Sequence, residues 1–312
     1  MDTATVERFE ANRTRLASLA YRLLGSAADA EDAVQDAFLR WQAADRQRIE
    51  TPEAWLTTVV TRLALDRLRS ATTRHERAAG AWLPEPLLDG DPMLGPADTV
   101  EQRESVTLAV LRLLERLTPV QRAVYVLREA FSHSHAEIAR ILDISESASQ
   151  QHALRARRHV AAARGAAAVD HASARRIVEA FVDAAASGRT ERLVALLTHD
   201  ATAVTDGAGG TATTLIEISA PERIAAALRA GFRPTPAKRR LVGGSPAVHA
   251  CVVNGSPAVV VAFDDRVVGV LVLGVRGGLV ATVDGIASPA RLGRLTAQWR
   301  RHEHPDPLIA QW

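Results

Sequence analysis

Glu146, Ser147, Gln150 and Gln151, followed by Arg155, Arg157 and Arg158, fall on the exposed side of a helix predicted to start after Ser145. Amides and hydroxyls can bond base edges in the DNA major groove, and guanidinium groups further along can neutralise phosphates. The stretch from Ser134 to Val160 supplies the frame such residues need. Ser134 and Glu137 have the spacing of a capping box, and Ile138, Ala139, Ile141 and Leu142 give the first helix an apolar face. Asp143-Ile144-Ser145 breaks that helix, and Ser145 caps the next. Two short helices about a tight turn predict a helix-turn-helix, whose second helix enters the major groove. A helical hairpin with a solvated basic face is the alternative for this stretch taken alone.

Other chemistry is thinly represented. His133, His135 and His152 lie near the turn, but no cysteine or carboxylate completes a metal-ligand set there, so no metal and no cofactor are expected. Cys251 is the single cysteine, which excludes an intramolecular disulfide and suits a reducing compartment. The 38 basic and 36 acidic side chains leave a net charge of +2, so a nucleic-acid footprint must be local. No apolar run reaches a membrane span, and MDTATVERFE does not read as a signal peptide; a soluble, cytoplasmic protein is expected.

The 312 residues call for two or three domains. Phe9, Leu16, Leu19 and Leu23 recur at helical spacing up to Gly25. Ser26 then caps a helix whose outer face bears Asp29, Glu31, Asp32, Gln35 and Asp36. Thr51-Pro52 opens a third helix, with Trp55, Val59, Leu63 and Leu68 inward and Arg62, Arg67 and Arg69 outward. This all-helical domain is placed at 1–77. Residues 78–104 hold Pro84, Pro86, Pro92 and Pro96 among glycines and carboxylates, which predicts an acidic linker. Leucine periodicity resumes at Val106, and Thr118-Pro119 with Gln121 caps the helix before the helix-turn-helix, giving a second helical domain at 105–165. The remainder predicts an α+β domain at 170–295 and a tail at 296–312. Two helices lead, another starts at Pro221, and strands are expected at 247–253, 257–263, 267–275 and 279–286, separated by Asn254-Gly255, Asp264-Asp265 and Gly277-Gly278. The sheet is expected to be curved and antiparallel.

Together, YRLLGSAADAEDAVQDAFLRW (21–41), PEAWLTTVVTRLALDRLRS (52–70), WLPEP (82–86), LTPVQRAVYVLREAF (117–131) and EIARILDIS (137–145) resemble the bacterial extracytoplasmic-function sigma factors with a SnoaL-like C-terminal extension. The resemblance implies a σ2 domain, then σ4, then a SnoaL-like cone, with core RNA polymerase and promoter DNA as partners and the chemistry left to the polymerase. It implies that Asp29, Glu31, Asp32, Gln35 and Asp36 dock on a basic coiled coil of the polymerase. It places Arg62, Asp66, Arg67 and Arg69 at the −10 element and the Glu146–Arg158 face at the −35 element. The linker resembles a segment that threads the polymerase cleft; a plain tether is the alternative. The sequence departs from the family pattern at His133 and His135, where aromatic residues are common, at Ser149 and His152, where apolar ones are, and at Gln150, where arginine or lysine is frequent.

SnoaL-like domains resemble ketosteroid-isomerase cones, which makes Asp206, His249 and Asp284 the acid-base candidates. Asp206-Gly207-Ala208-Gly209-Gly210 and Ser288-Pro289-Ala290-Arg291-Leu292 match, with departures, two motifs implicated in control of the family. A regulatory contact is therefore expected at Asp206, Gly207, Gly209, Gly210, Ser288, Pro289 and Leu292, with the C-terminal domain holding σ2 and σ4 in a compact arrangement. Two other functions stay open: a ligand-sensing helix-turn-helix regulator, and a sigma factor whose extension keeps isomerase-like activity. An unidentified small ligand in the C-terminal domain also stays open.

Overall fold

The computed structural model describes residues 3–75, 83–95, 99–161, 171–207 and 215–312. Its contacts divide the chain into two compact units. The first takes Met1–Ala79, Gly90–Val106 and Val110–Arg164, and the second takes Gly80–Asp89, Thr107–Ala109 and Gly165–Trp312.

In the first unit α1 (Thr3–Leu24), α2 (Ala27–Ala43) and α3 (Pro52–His75) enclose an apolar core. Phe9, Leu16, Leu19 and Leu23 meet Ala30, Val34, Ala37 and Trp41, and α3 contributes Leu56, Val60, Leu63 and Ala64. Gly25 ends α1 at φ 68, its N–H bonded to the Tyr21 carbonyl, and the Ser26 hydroxyl accepts from the Asp29 N–H. Of the expected inward residues of α3, Leu63 is buried, while Leu56 and Val60, outside that set, lie deeper than the others. Leu56 and Val60 are buried, while Trp55 and Val59 are only partly so, Trp55 tilting against Trp41 at 5.6 Å.

Residues 99–161 form α4 (Val100–Glu104), α5 (Leu108–Leu114), α6 (Pro119–Glu129), α7 (His135–Leu142) and α8 (Glu146–Val160). Both expected capping boxes, Thr118 with Gln121 and Ser134 with Glu137, are made. A third, Thr99 with Gln102, starts α4 inside the expected linker. The turn between α7 and α8 rests on Asp143, which adopts the left-handed region at φ 56 and closes α7.

The α1–α3 bundle and the α6–α8 bundle touch directly. Phe131 sits between two guanidinium groups of α1, with Arg15 at 5.6 Å and Arg22 at 5.5 Å from the ring centre. Arg15 also reaches His133 at 3.3 Å and donates to Thr57 at 2.9 Å. Arg22 is nearly fully buried, and among the described residues it bonds no carboxylate: it donates to the Ser105 hydroxyl (3.0 Å), the Leu94 carbonyl (2.8 Å) and the Ser18 hydroxyl. Burial lowers its pKa to about 10. A Cβ at Gly95 would run into the Ser18 hydroxyl, so the chain can lie this close to α1 only as glycine. The two helical bundles are therefore joined by contacts of their own.

The second unit runs α9 (His171–Ala186), α10 (Thr190–Val194), β1 (Leu197–Thr205), β2 (Ile216–Ser219), α11 (Pro221–Phe232), α12 (Pro236–Val242), β3 (Ala247–Val253), β4 (Ser256–Phe263), β5 (Arg266–Arg276), β6 (Leu279–Ile286) and α13 (Pro289–Trp299). The sheet order is β2-β1-β6-β5-β4-β3. β3 to β6 form the expected meander, but β1 pairs parallel to β6, so the sheet is mixed and not antiparallel throughout. The helices after β1 return the chain to lay β1 beside the last strand, which no local pattern announces. One sheet face, with Val248, Ala250, Val259 and Leu273, packs on Val178 and Phe181 of α9 and Ile224, Leu228 and Phe232 of α11. On the other face His249 meets Trp299 of α13, the rings 5.0 Å apart. α13 crosses the expected boundary at 295, and the tail is tied down. Val248 exchanges backbone bonds with Leu308 and Ile309, and the Trp312 indole donates to the Phe232 carbonyl.

The described part of the expected linker is not a solvated tether. Leu83 and Leu87 are fully buried, and the carboxylates of Glu85 and Asp91 are buried as well. Asp91 caps a 3-10 turn at Pro92–Leu94, and residues 83–89 belong to the second unit.

Candidate nucleic-acid interface

The acidic face of α2 and the basic face of α3 meet at one residue. Arg67 lies 2.7 Å from the Asp36 carboxylate, 3.8 Å from Asp32 and 4.0 Å from Asp29, and it donates to the Asp29 carbonyl at 3.2 Å. Arg67 thus points across to α2 and not outward as expected. Arg62, Asp66 and Arg69 are exposed, with Arg69 paired to Asp66 at 3.3 Å. Glu31 and Gln35 are exposed.

In the helix-turn-helix, Ser149, Ala153, Ala156 and Val160 bury one stripe of α8. The opposite stripe leaves Glu146, Ser147, Gln150, Gln151, Arg155, Arg157 and Arg158 exposed, as the sequence requires of a reading helix. Arg157 is committed within the unit, its Nε and Nη2 donating to one Glu129 oxygen at 2.9 and 2.7 Å. It anchors α8 to the end of α6, which takes it out of the group free to face DNA. Two departures from the family pattern answer each other, because the His135 imidazole bonds the buried Ser149 hydroxyl at 2.9 Å. A polar bond between α7 and α8 replaces an apolar contact, and the joint stays satisfied.

The acid-base candidates of the second unit are engaged separately. The Asp206 carboxylate accepts the N–H groups of Ala287 (2.8 Å) and Ser288 (3.1 Å) and pairs with Arg291 at 3.3 Å. It holds the start of α13, where a carboxylate also complements the helix dipole. His249 bonds the Pro305 carbonyl at 2.8 Å and packs against Trp299, and Asp284 is buried on β6. Apolar side chains fill the space between the sheet and α9 and α11, so the three candidates do not line it together. Burial pushes the Cys251 thiol up to about 12, which leaves it un-ionised and inert at neutral pH. Of the regulatory positions, Asp206 is buried beside Ser288 and Gly207, while Leu292 is a core residue of α13 and not a surface contact. Gly209 and Gly210 lie outside the described residues. Among the described residues no His, Cys, Asp or Glu cluster is placed to hold a metal, and no helix is long and apolar enough to cross a membrane.

Residues 8–74 match the family Sigma-70 region 2, and residues 107–160 match Sigma-70, region 4. Over 220 residues, 70% of each chain, the protein is 42% identical to ECF RNA polymerase sigma factor SigJ of Mycobacterium tuberculosis. The chain belongs to the ECF RNA polymerase sigma factors. A probable sigma factor of the same organism, SigI, is 32% identical over 93% of this chain and 95% of its own. The crystal structure of M. tuberculosis SigJ aligns at TM-score 0.69 and 34% identity, over 93% of this chain and 98% of that one. The sigma factor binds core RNA polymerase and promoter DNA, α1–α3 being its σ2 and α5–α8 its σ4.

What sequence reasoning missed in this sigma factor is the grip on its σ2–σ4 linker. The Asn254 side chain accepts the Leu87 N–H at 2.8 Å while the Asn254 N–H donates to the Leu87 carbonyl at 2.9 Å. The Asp89 N–H donates to the Val252 carbonyl, the Leu88 N–H to the Gln298 side chain, and Asp89 pairs with His171 at 2.9 Å. The linker is thereby added to the end of β3. Asn254-Gly255 signals a hairpin, and Asn254 does adopt the left-handed region at φ 51; nothing in the sequence says that its side chain also holds a segment 167 residues away.

Proposed function

We propose that this sigma factor is controlled in cis through its linker, which the C-terminal unit holds out of the polymerase cleft until transcription complexes form. The observation that carries the reading is the reciprocal bonding of Leu87 and Asn254, reinforced by Gln298 and His171. A segment paired to β3 cannot at the same time thread the polymerase, so the two states compete and a few kcal/mol of differential contact sets their populations. Asp206 supports a control role for its motif differently from a surface contact: it fixes the start of α13, the helix that carries Gln298. Asp29, Glu31, Asp32, Gln35 and Asp36 dock on the polymerase, Arg62, Asp66 and Arg69 serve the −10 element, and the exposed face of α8 serves the −35 element. The protein acts in the cytoplasm, and the chemistry belongs to the polymerase.

Reconstituted transcription tests this. Truncation after Gly165 and the variant Asn254→Gly, which keeps the turn but loses the side-chain acceptor, are compared with the full chain on the cognate promoter. Both are expected to change promoter output while core-polymerase affinity is retained; unchanged output in both sinks the regulatory reading.

A further inference from the structure

Leu154 is 51% exposed on α8, one of few large apolar side chains left so open among the described residues. Its position is not arbitrary. Ser147, Gln150, Gln151, Leu154 and Arg158 recur at i, i+3, i+4, i+7 and i+11, so they share one helix face, opposite the buried stripe of Ser149, Ala153, Ala156 and Val160. The bonds from Arg157 to Glu129 fix which side of α8 turns towards α6 and leave this stripe to solvent. Leu154 is the one apolar member of the stripe, flanked one turn back by two amides and one turn on by a guanidinium. Lone exposed leucines are ordinary on a protein surface, but here the side chain lies in the middle of the face that enters the major groove. Of the groups exposed in that groove, the thymine C5-methyl is the one an apolar side chain recognises.

We infer that Leu154 is a specificity-determining residue of the −35 contact, packing on the C5-methyl group of a thymine in the major groove. The inference rests on the assignment of α8 as the −35 reading helix. It explains why hydrogen-bonding residues do not fill the stripe: the amides of Gln150 and Gln151 have the donors and acceptors that suit an adenine edge, and Leu154 one turn on takes a methyl. Apolar contact to thymine is independent of charge, so its loss leaves the salt dependence of binding unchanged, unlike the loss of Arg155 or Arg158.

The test uses holoenzyme assembled with core polymerase and the −35 element recovered by promoter selection. Each thymine of that element, on either strand, is replaced singly by deoxyuridine, which removes the methyl and nothing else. For the wild type one replacement is expected to lower affinity about fourfold, the worth of one buried methyl group. With Leu154→Ala the same replacement is expected to have no effect, and thymine and uracil templates bind alike. Leu154→Gln, which keeps the helix and the length of the side chain, is expected to lose the discrimination too and to change the selected base at that position. If no thymine distinguishes wild type from Leu154→Ala, or if the selected element has no A·T pair, the inference is overturned. Arg155→Ala in the same assay separates the two levels: if it too leaves binding unchanged, the assignment of α8 fails, and if it weakens binding on every template, only the role of Leu154 is in question.

Discussion

Arg67 of α3 and Asp36 of α2 form an ion pair of 2.7 Å, with Asp32 and Asp29 on the rim. The surface expected to meet a basic partner is thus partly neutralised from within, by a residue the sequence assigns to DNA.

Structural and docking roles of that pair can be separated by reversing it. Asp36→Arg alone is expected to lower core-polymerase affinity and to cost up to about 1 kcal/mol of stability, the usual size for exposed pairs. Asp36→Arg with Arg67→Asp restores the pair and the denaturation midpoint but leaves the docking face reversed. Core affinity should stay low in the double variant. Recovery of affinity together with stability would mean that Asp36 acts only by positioning α3.

Acid should loosen the first unit through His133. Its Nε2 faces the Arg15 guanidinium at 3.3 Å, which is a donor, so the imidazole must be neutral there. Nδ1 lies 3.8 Å from Glu137, and Arg128 donates to the His133 carbonyl. Burial first, then Arg15, hold the His133 pKa below its ordinary value of 6.5, against the opposing pull of Glu137. The folded state therefore binds fewer protons than the unfolded one, and stability falls as pH drops below about 6.5 towards the folded pKa. His152 and His249 are shifted the same way by burial. Denaturation midpoints between pH 7.5 and 5 are expected to decline more steeply for the wild type than for His133→Phe. Equal slopes exclude His133 as a contributor.

Much of this architecture can be read locally, and what cannot has a common cause. Thr118, Ser134 and Ser145 announce their helices because caps act over three residues. The four meander strands are legible from alternation and from Asn254-Gly255 and Gly277-Gly278, which need left-handed backbone. Arg67 pointing at α2, Leu87 paired with Asn254 and β1 lying parallel to β6 depend on contacts distant in sequence, and neither spacing nor propensity encodes them. The exposed face of α8 is legible in the sequence except for Leu154, because an apolar residue in a helix is read as core until its register against Ser149 and Ala153 is known.

The linker grip should appear in hydrogen exchange. Asn254→Gly keeps positive φ at the turn but strands the Leu87 N–H, and an unsatisfied buried donor costs about 1–3 kcal/mol. Exchange of the peptide covering 83–89 is then expected to accelerate at least about fivefold, with β4 and β5 unaffected. Unchanged protection over 83–89 would show that Leu83 and Leu87 are held by apolar burial alone.

Asp206 separates a structural carboxylate from a catalytic one. Its side chain is 5% exposed, its two oxygens take the N–H groups of Ala287 and Ser288 and the Arg291 guanidinium, and the carboxylate lies at the junction of β1, β6 and α13. Asp206→Ala leaves a partly buried guanidinium and two amides without this acceptor, which is expected to cost about 3 kcal/mol, the lower end for a buried pair broken from one side. Asp206→Asn keeps the volume and one acceptor oxygen, so a smaller loss of about 1–3 kcal/mol is expected. Because α13 carries Gln298, Asp206→Ala is also expected to speed exchange over 83–89, whereas Asp284→Asn is not. A general acid or base behaves otherwise: its replacement leaves the midpoint close to wild type, since such a group is kept reactive by not being fully bonded. Urea midpoints of the three proteins decide the matter. Should Asp206→Ala unfold within about 0.5 kcal/mol of wild type, the cap on α13 is not what holds this helix, and the acid-base reading of Asp206 regains its ground.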